Sequence, residues 1–381
     1  MDVNAPADPT STTVADDPMR LSQRGQLVEL IGSDGDAIHF STVWLRDMCS
    51  CPECVHPSGQ RLIDPAGFTD ELVVVEARVE AGVATVRWGP DGHTSQYVLA
   101  ELEAVAPPHT GGARQPWAAE LAGHIPAARH GAIAGDDSEL HRWLSGVEHR
   151  GVGVLHGVPI ADGEVARVAE LFGHVRVTNY GRYFDVRTQI DPANLANTSL
   201  ALGPHTDNPY RDPVPTMQLL HCLSSSATGG ENVVVDGFRV AEQIRADDPA
   251  GFAALADCDV TFTYSDAHTH LAATRPILEL DRTGQVRAVC FNSRSMLPPV
   301  MATDTQALWY SAYRHFARLL ADPGFQARIV LTPGDLFIVD NRRVLHGRTG
   351  YSAGDGNRHL QGCYADIDGL RSKIAVLART L

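Results

Sequence analysis

Leu336-Phe337-Ile338-Val339-Asp340-Asn341-Arg342-Arg343-Val344-Leu345-His346-Gly347-Arg348 decides how this chain is read. Residues 336–339 are a continuous apolar run, short enough for a buried strand, and the polar residues after it make a turn. His346 then stands at a strand end, and Arg358 follows twelve residues later. Upstream lies His205-Thr206-Asp207, an H-x-D triplet. Residues two apart on extended backbone point to one side, so this imidazole and carboxylate can reach one metal. Two histidines and one carboxylate on one face of an octahedron leave three positions open, enough for a bidentate 2-oxo acid and O2. With 17 His and 31 Asp in 381 residues, chance supplies about one such triplet, so the triplet alone decides nothing. The weight comes from the order: H-x-D, then a distal His, then an Arg whose fork can clamp a carboxylate in a bidentate way.

Around this stretch the pattern is mainly β with helices. Short strands are expected at 152–155, 217–223, 232–235, 260–264, 277–280, 286–291, 336–339 and 360–365, with a Thr283-Gly284 hairpin turn. Asp137 or Ser138 can cap a helix carrying Leu140, Trp143, Leu144 and Val147 on one face, and a further helix is expected around 164–172. Thr303 and Gln306 suggest a capping box before a helix with Leu308, Tyr313, Phe316 and Leu320 on one face. Many short strands with uneven connections suggest a jelly-roll β-barrel, and no glycine fingerprint follows a strand as a dinucleotide or phosphate site would need.

Residues 21–110 read as a separate small β module. Residues 106–116, rich in Pro and Gly, form a linker, and 120–381 form the barrel domain. Residues 1–20, rich in Asp, Pro, Ala and Thr, read as a disordered tail. Within the small module Cys49, Cys51 and Cys54 place three of the chain's seven cysteines within six residues. Such C-x-C-x-x-C spacing suits three thiolate ligands of a structural zinc, against the alternatives of a redox pair or unrelated buried thiols. The fourth ligand is His56, close in sequence, or His93 in the turn after Trp88. A short module lacking core would draw folding energy from the metal.

Hydrophobic residues make up 44% and charged residues 20%, a globular balance. The net charge of −15, with no basic stripe, argues against nucleic acid as partner and speaks for solubility. No apolar run is long enough to span a membrane, and the N-terminus does not resemble a signal peptide. Odd, clustered thiols fit a reduced, cytoplasmic protein better than a disulfide framework.

The HTD triplet, the segment DNRRVLHGR and the run RHLQGCYADID resemble the γ-butyrobetaine dioxygenase and trimethyllysine dioxygenase family, within the taurine dioxygenase-like superfamily. Trp44-Leu45-Arg46-Asp47, Gln218-Leu219-Leu220-His221-Cys222, Thr228-Gly229-Gly230 and Val235-Asp236-Gly237-Phe238 extend the likeness over residues 40–370. The resemblance implies a double-stranded β-helix core, a zinc-binding N-terminal domain with His93 as fourth ligand, and a homodimer. It also implies Fe(II) held by His205, Asp207 and His346, with Arg358 on the far carboxylate of 2-oxoglutarate, O2 as co-substrate and ascorbate as reductant. By resemblance, Tyr180, Phe184, Asn197 and Tyr364 stand at the positions that cage a quaternary ammonium, Asn292 at the position that contacts the anionic end, and Asn194 at another polar position of the pocket. Phe184 replaces a Trp and Asn197 a Tyr of the butyrobetaine enzymes. The expected reaction is hydroxylation of a small zwitterion, γ-butyrobetaine to L-carnitine, as in carnitine biosynthesis. The alternatives are the same chemistry on 2-(trimethylammonio)ethylphosphonate or another amine, and a non-catalytic, zinc-stabilised barrel that binds small molecules. Arg294 could add a charge for a carboxylate or phosphonate.

Overall fold

The computed structural model describes residues 20–24, 26–31, 37–103, 114–187, 199–226, 229–351 and 357–381. The expected tail, but for Arg20, and most of the Pro/Gly linker lie outside these residues. The chain divides into two compact units, Met1–Thr110 and Gly111–Leu381.

In the first unit, Arg20–Arg24, Leu27–Ile31 and Ala37–Ser41 pair as an antiparallel sheet, followed by the helix Thr42–Asp47. Val73–Glu80, Val83–Gly89 and Thr94–Val98 form a second antiparallel meander. Alternation along Val83–Gly89 sends Ala84, Val86 and Trp88 inward, where they meet Val28, Leu45, Leu72, Tyr97 and Leu99. The Tyr97 hydroxyl, donating to Leu45 O at 2.6 Å, ties the meander to the helix that precedes the cysteines.

The second unit is built on two sheets. The six-stranded sheet runs in the order Ala127–Arg129, Val152–His156, Leu336–Asp340, Met217–Ser225, Arg358–Ala365, Phe184–Arg187. The four-stranded sheet runs Leu202–His205, Val344–Arg348, Asn232–Asp236, Gln326–Ile329. All pairings are antiparallel except that of Ala127–Arg129 with Val152–His156. The inner faces share one core: Val154, Leu220, Phe337 and Leu360 from the larger sheet meet Val234, Ala327, Ile329 and Val344 from the smaller. This is a jelly-roll. Met217, Leu219, Leu336, Ile338, Cys363 and Ala365 point the other way and pack under the helices Asp137–Arg150, Glu164–Glu170 and Ile367–Leu377. Among the described residues no helix is long and apolar enough to cross a membrane.

Some local expectations are corrected. The helix Asp137–Arg150 is capped by Asp136, whose carboxylate accepts from the Ser138 and Glu139 amides, because Asp137 is already helical. The helix Thr303–Ala321 has no side-chain cap: Gln306 instead donates to Met301 O. Its buried stripe is Trp309, Ala312, Phe316 and Leu320, with Tyr313 half-buried on the same core: Phe316 and Leu320 are as expected, while Leu308 is exposed and Trp309 takes its place. The helices Gly237–Asp247 and Pro249–Asp257 interrupt a region read as strands. Their periodic residues Phe238, Val240, Ala241, Ile244, Phe252 and Leu255 fill the core outside the smaller sheet.

One buried ion pair anchors this unit. Arg343 and Asp236, both almost fully buried, form a two-pronged contact at 2.7 and 3.0 Å, and Arg343 also donates to His149 O and Gln115 O. Asp236 in turn accepts from the Trp117 and Phe238 amides, the latter at the start of the helix Gly237–Asp247. Removing one partner strands the other charge in the core, so Arg343→Ala should lower unfolding free energy by roughly 3–5 kcal/mol. Urea denaturation of variant and parent checks this, and a loss below about 1 kcal/mol would contradict the anchoring role.

Candidate metal centre and active site

His205 closes the strand Leu202–His205, and its direct cross-strand partner is His346 on Val344–Arg348. Their rings lie 4.6 Å apart. Close pairing of these strands depends on Gly347, where a Cβ would come within 2.4 Å of Leu202 O. Asp207 follows just past the strand. Asn341, itself buried, clamps its backbone by accepting from the Asp207 amide at 2.7 Å and donating to Asp207 O at 2.9 Å. The Asp340–Arg348 turn read first in the sequence thus supplies a ligand and the clamp for another.

The ligand atoms of His205, Asp207 and His346 all lie within 4.8 Å of one another. Asp207 Oδ1 is 3.4 Å from His205 Nε2, and Oδ2 is 3.9 Å from His346 Nε2. His205 Nδ1 contacts Gly203 O at 2.9 Å, which sets Nε2 as the lone-pair nitrogen facing the carboxylate. Burial pushes His346 down to about 3, so its imidazole is neutral and able to ligate. Burial alone would raise Asp207, but His346, His205 and the Tyr364 hydroxyl together hold it well below the usual carboxylate range. Two imidazoles beside an ionised carboxylate are the donor set of a two-histidine, one-carboxylate iron site.

Asp207 is supported from the facing sheet. Gln218 and Tyr364 are direct partners across Met217–Ser225 and Arg358–Ala365, and both donate to Asp207 Oδ2, Tyr364 at 2.9 Å. Burial and then the Asp207 charge raise the Tyr364 phenol well above its ordinary value, so it remains a donor. In the sequence Gln218 stands inside the motif Gln218-Leu219-Leu220-His221-Cys222 with no role of its own. Its signal was a polar residue between Met217 and Leu219 in an otherwise apolar strand.

A cavity of about 500 Å³ opens on this triad. At one side Arg358 is buried, donates to Asn232 Oδ1 at 3.1 Å and lies over the Tyr351 ring. Among the described residues no carboxylate pairs with it. A buried guanidinium without a counter-charge is unfavourable until an anion arrives, which fits the far carboxylate of 2-oxoglutarate. Arg348 borders the same space, and burial together with Arg358 brings it down to about 10. Gly230 of the Gly-Gly motif leaves room for this side chain: a Cβ there would sit 3.0 Å from Arg358 Cδ.

On another side rings line the cavity. Tyr180 lies 5.8 Å from Phe184, and Phe184 5.2 Å from Tyr364. Two rings not foreseen from the sequence extend this wall: Tyr264, 5.8 Å from Tyr180, and Tyr210, 5.1 Å from Tyr264. The Tyr180 and Tyr210 hydroxyls are 2.9 Å apart. Asn292 borders the cavity, but one of its N–H groups goes to Thr206 O at 3.1 Å and its carbonyl accepts from the Arg294 amide. Asn194 and Asn197 lie outside the described residues.

The first unit holds a second cluster. Cys49, Cys51 and Cys54 Sγ lie 3.3, 3.6 and 3.6 Å from His93 Nε2. A tetrahedral zinc would hold sulfur and nitrogen about 3.6 Å apart, so the cluster suits it, with His93 and not His56 as the fourth ligand. The His56 Nδ1 contacts Ser58 instead. Arg46 donates to Cys54 Sγ at 3.3 Å and pairs with Asp91, and Glu53 approaches His93 Nδ1. Three thiolates around Zn²⁺ leave one excess negative charge, which Arg46 offsets.

The comparisons agree with this geometry. The family model described as "Taurine catabolism dioxygenase TauD, TfdA family" matches residues 116–364, and "Gamma-butyrobetaine hydroxylase-like, N-terminal" matches residues 19–103. The chain is 36% identical over 367 residues to the gamma-butyrobetaine dioxygenase of Pseudomonas sp. (strain AK-1), covering 92% of this chain and 94% of that one. It is 30% identical over 378 residues to the gamma-butyrobetaine dioxygenase of Homo sapiens, with the same two coverages. To the trimethyllysine dioxygenase of Meyerozyma guilliermondii it is 25% identical over 384 residues, covering 94% and 95%.

Proposed function

This chain belongs to the γ-butyrobetaine and trimethyllysine dioxygenase family of Fe(II)- and 2-oxoglutarate-dependent TauD/TfdA enzymes, and on that footing we propose that it hydroxylates γ-butyrobetaine to L-carnitine. The observation that carries this reading is one cavity bordered by the two-histidine, one-carboxylate triad, by buried Arg358 and by an aromatic wall. Two of the relatives above, at 36% and 30% identity, are gamma-butyrobetaine dioxygenases, which favours that substrate over trimethyllysine.

Fe(II) with 2-oxoglutarate and O2 supplies the oxidation: one oxygen atom enters a substrate C–H bond and the other ends in succinate as CO2 leaves. The protein's part is positional. His205, Asp207 and His346 hold the metal, and Gln218 and Tyr364 keep the Asp207 carboxylate aimed. Arg358 grips the far carboxylate of 2-oxoglutarate. A trimethylammonium group has no proton to donate, so the faces of Tyr180, Phe184 and Tyr364 attract it and exclude water around it. Cys49, Cys51, Cys54 and His93 hold a structural Zn²⁺.

The test is succinate release by anaerobically purified protein given Fe(II), ascorbate, 2-oxoglutarate and O2. γ-Butyrobetaine, trimethyllysine and 2-(trimethylammonio)ethylphosphonate are compared. Expected is stimulation by γ-butyrobetaine with one L-carnitine formed per succinate. Stimulation by another member of the panel alone would replace the substrate while keeping the reaction. Binding of 2-oxoglutarate without turnover of any would send the substrate assignment elsewhere.

A further inference from the structure

One wall of the cavity is used neither by the triad nor by the Arg358 pocket. The strands Val260–Ser265 and His270–Arg275 form an antiparallel hairpin. Residues 292–297 run along its free edge: the Thr263 amide donates to Ser295 O at 2.7 Å, the Leu297 amide to Thr261 O at 2.8 Å, and Phe262 bridges Met296. This third strand-like segment delivers Arg294 to the cavity beside Tyr264.

Arg294 is exposed and borders the cavity, and among the described residues its guanidinium has no hydrogen-bond or ion-pair partner. Only its backbone amide is engaged, by Asn292. Burial lowers the Arg294 guanidinium from its ordinary value and the Asp207 carboxylate opposes this, while Arg294 acts in turn on His346 and Arg348, all of which border the same cavity. The cavity's two carboxylates are already occupied: Asp207 by Gln218 and Tyr364, Asp185 by His359 and Gln361.

We propose that Arg294 receives the acidic end of the substrate and so makes the enzyme choose a zwitterion over a simple quaternary ammonium. The inference rests on reading the aromatic wall as the seat of the ammonium group. With one N–H of Asn292 committed to Thr206 O, the neutral amide left over cannot balance a full negative charge. A guanidinium fork can, and it matches a carboxylate or a phosphonate in two parallel hydrogen bonds. The cavity therefore carries both recognition elements: ring faces for the cation, and a fixed cation for the anion.

The test uses Fe(II)-loaded enzyme with 2-oxoglutarate, kept anaerobic, and calorimetric titration of three ligands. These are γ-butyrobetaine, 2-(trimethylammonio)ethylphosphonate and 4-(trimethylammonio)butan-1-ol, which keeps the cation and lacks the acid. In Arg294→Gln the acidic ligands should weaken by about 10- to 100-fold, while the alcohol binds as it does to the parent. Arg294→Lys should recover part of the loss, and the two acids show whether carboxylate or phosphonate is preferred. Equal weakening of acid and alcohol would assign Arg294 a structural role and overturn the proposal. So would weakened 2-oxoglutarate binding with the acid–alcohol difference intact. If the parent binds none of the three, the quaternary-ammonium reading fails and this inference falls with it. If it binds all three without regard to the acid, only the inference fails.

Discussion

Asp207→Ala should reduce 2-oxoglutarate turnover by roughly a thousandfold or more while the chain stays folded. The effect is expected to be this large because Asp207 is the only ionised ligand of the triad. Without it two imidazoles remain, a weaker hold on a divalent metal. The residue also receives Gln218 and Tyr364 from the facing sheet, so its loss leaves two buried donors unpaired. That costs about 1–3 kcal/mol each if water does not replace the carboxylate, and less here because the cavity admits water. Iron content, the melting curve and succinate formation should be measured together. The expected combination is low iron, a modest drop in melting temperature and no succinate above background. An alanine variant with near-parental turnover would end the triad assignment.

The second large effect concerns the first unit. Apparent zinc-binding free energies at structural thiolate sites are about 10–16 kcal/mol, comparable to or above the whole stability of a small domain. Among the described residues, the core available to Met1–Thr110 is one cluster centred on Leu45, Val86, Trp88, Tyr97 and Leu99. Cys49 and Cys54 are buried within this unit, and Arg46 and Asp91 are organised around them. Removing zinc would leave Cys54, whose thiol burial pushes up to about 11, protonated, and an Arg46 with less to balance. Chelation, or Cys54→Ser, should therefore abolish the cooperative unfolding of this unit. Calorimetry should show loss or collapse of its transition, and metal analysis should find one zinc per chain lost with it. An untouched melting profile, or protein purified without zinc, would rule out the structural-metal reading.

Legibility in the sequence was uneven, for a physical reason. Chemistry carried by short spacing was easy to see: two residues apart in His205-Thr206-Asp207, and C-x-C-x-x-C at Cys49, Cys51 and Cys54. The apolar runs that became the jelly-roll strands were visible for the same reason, since alternation and burial are local in the chain. Helices Gly237–Asp247 and Pro249–Asp257 were missed because their short periods follow a strand closely, with Asp236 serving as both strand end and helix cap. The expected capping box at Thr303 failed because Gln306 found the Met301 carbonyl instead. Tyr264 and Tyr210 were invisible as wall residues, since nothing near them in sequence says which side of a hairpin will face a metal.

The amino-acid order by itself determined the family, the strand-rich class of the fold and the kinds of ligand atom available, because each of these depends on residues near one another or on a motif order along the chain. The tertiary structure alone decided which groups meet. His205 and His346 become cross-strand neighbours only when Leu202–His205 pairs with Val344–Arg348. Tyr364 reaches Asp207 across 157 residues only because the two sheets close on each other. Arg294 comes to the cavity only because residues 292–297 join the edge of a hairpin. Side-chain chemistry is a property of each residue, whereas convergence is set by packing two sheets face to face, and that is settled by the whole core and not by any one segment.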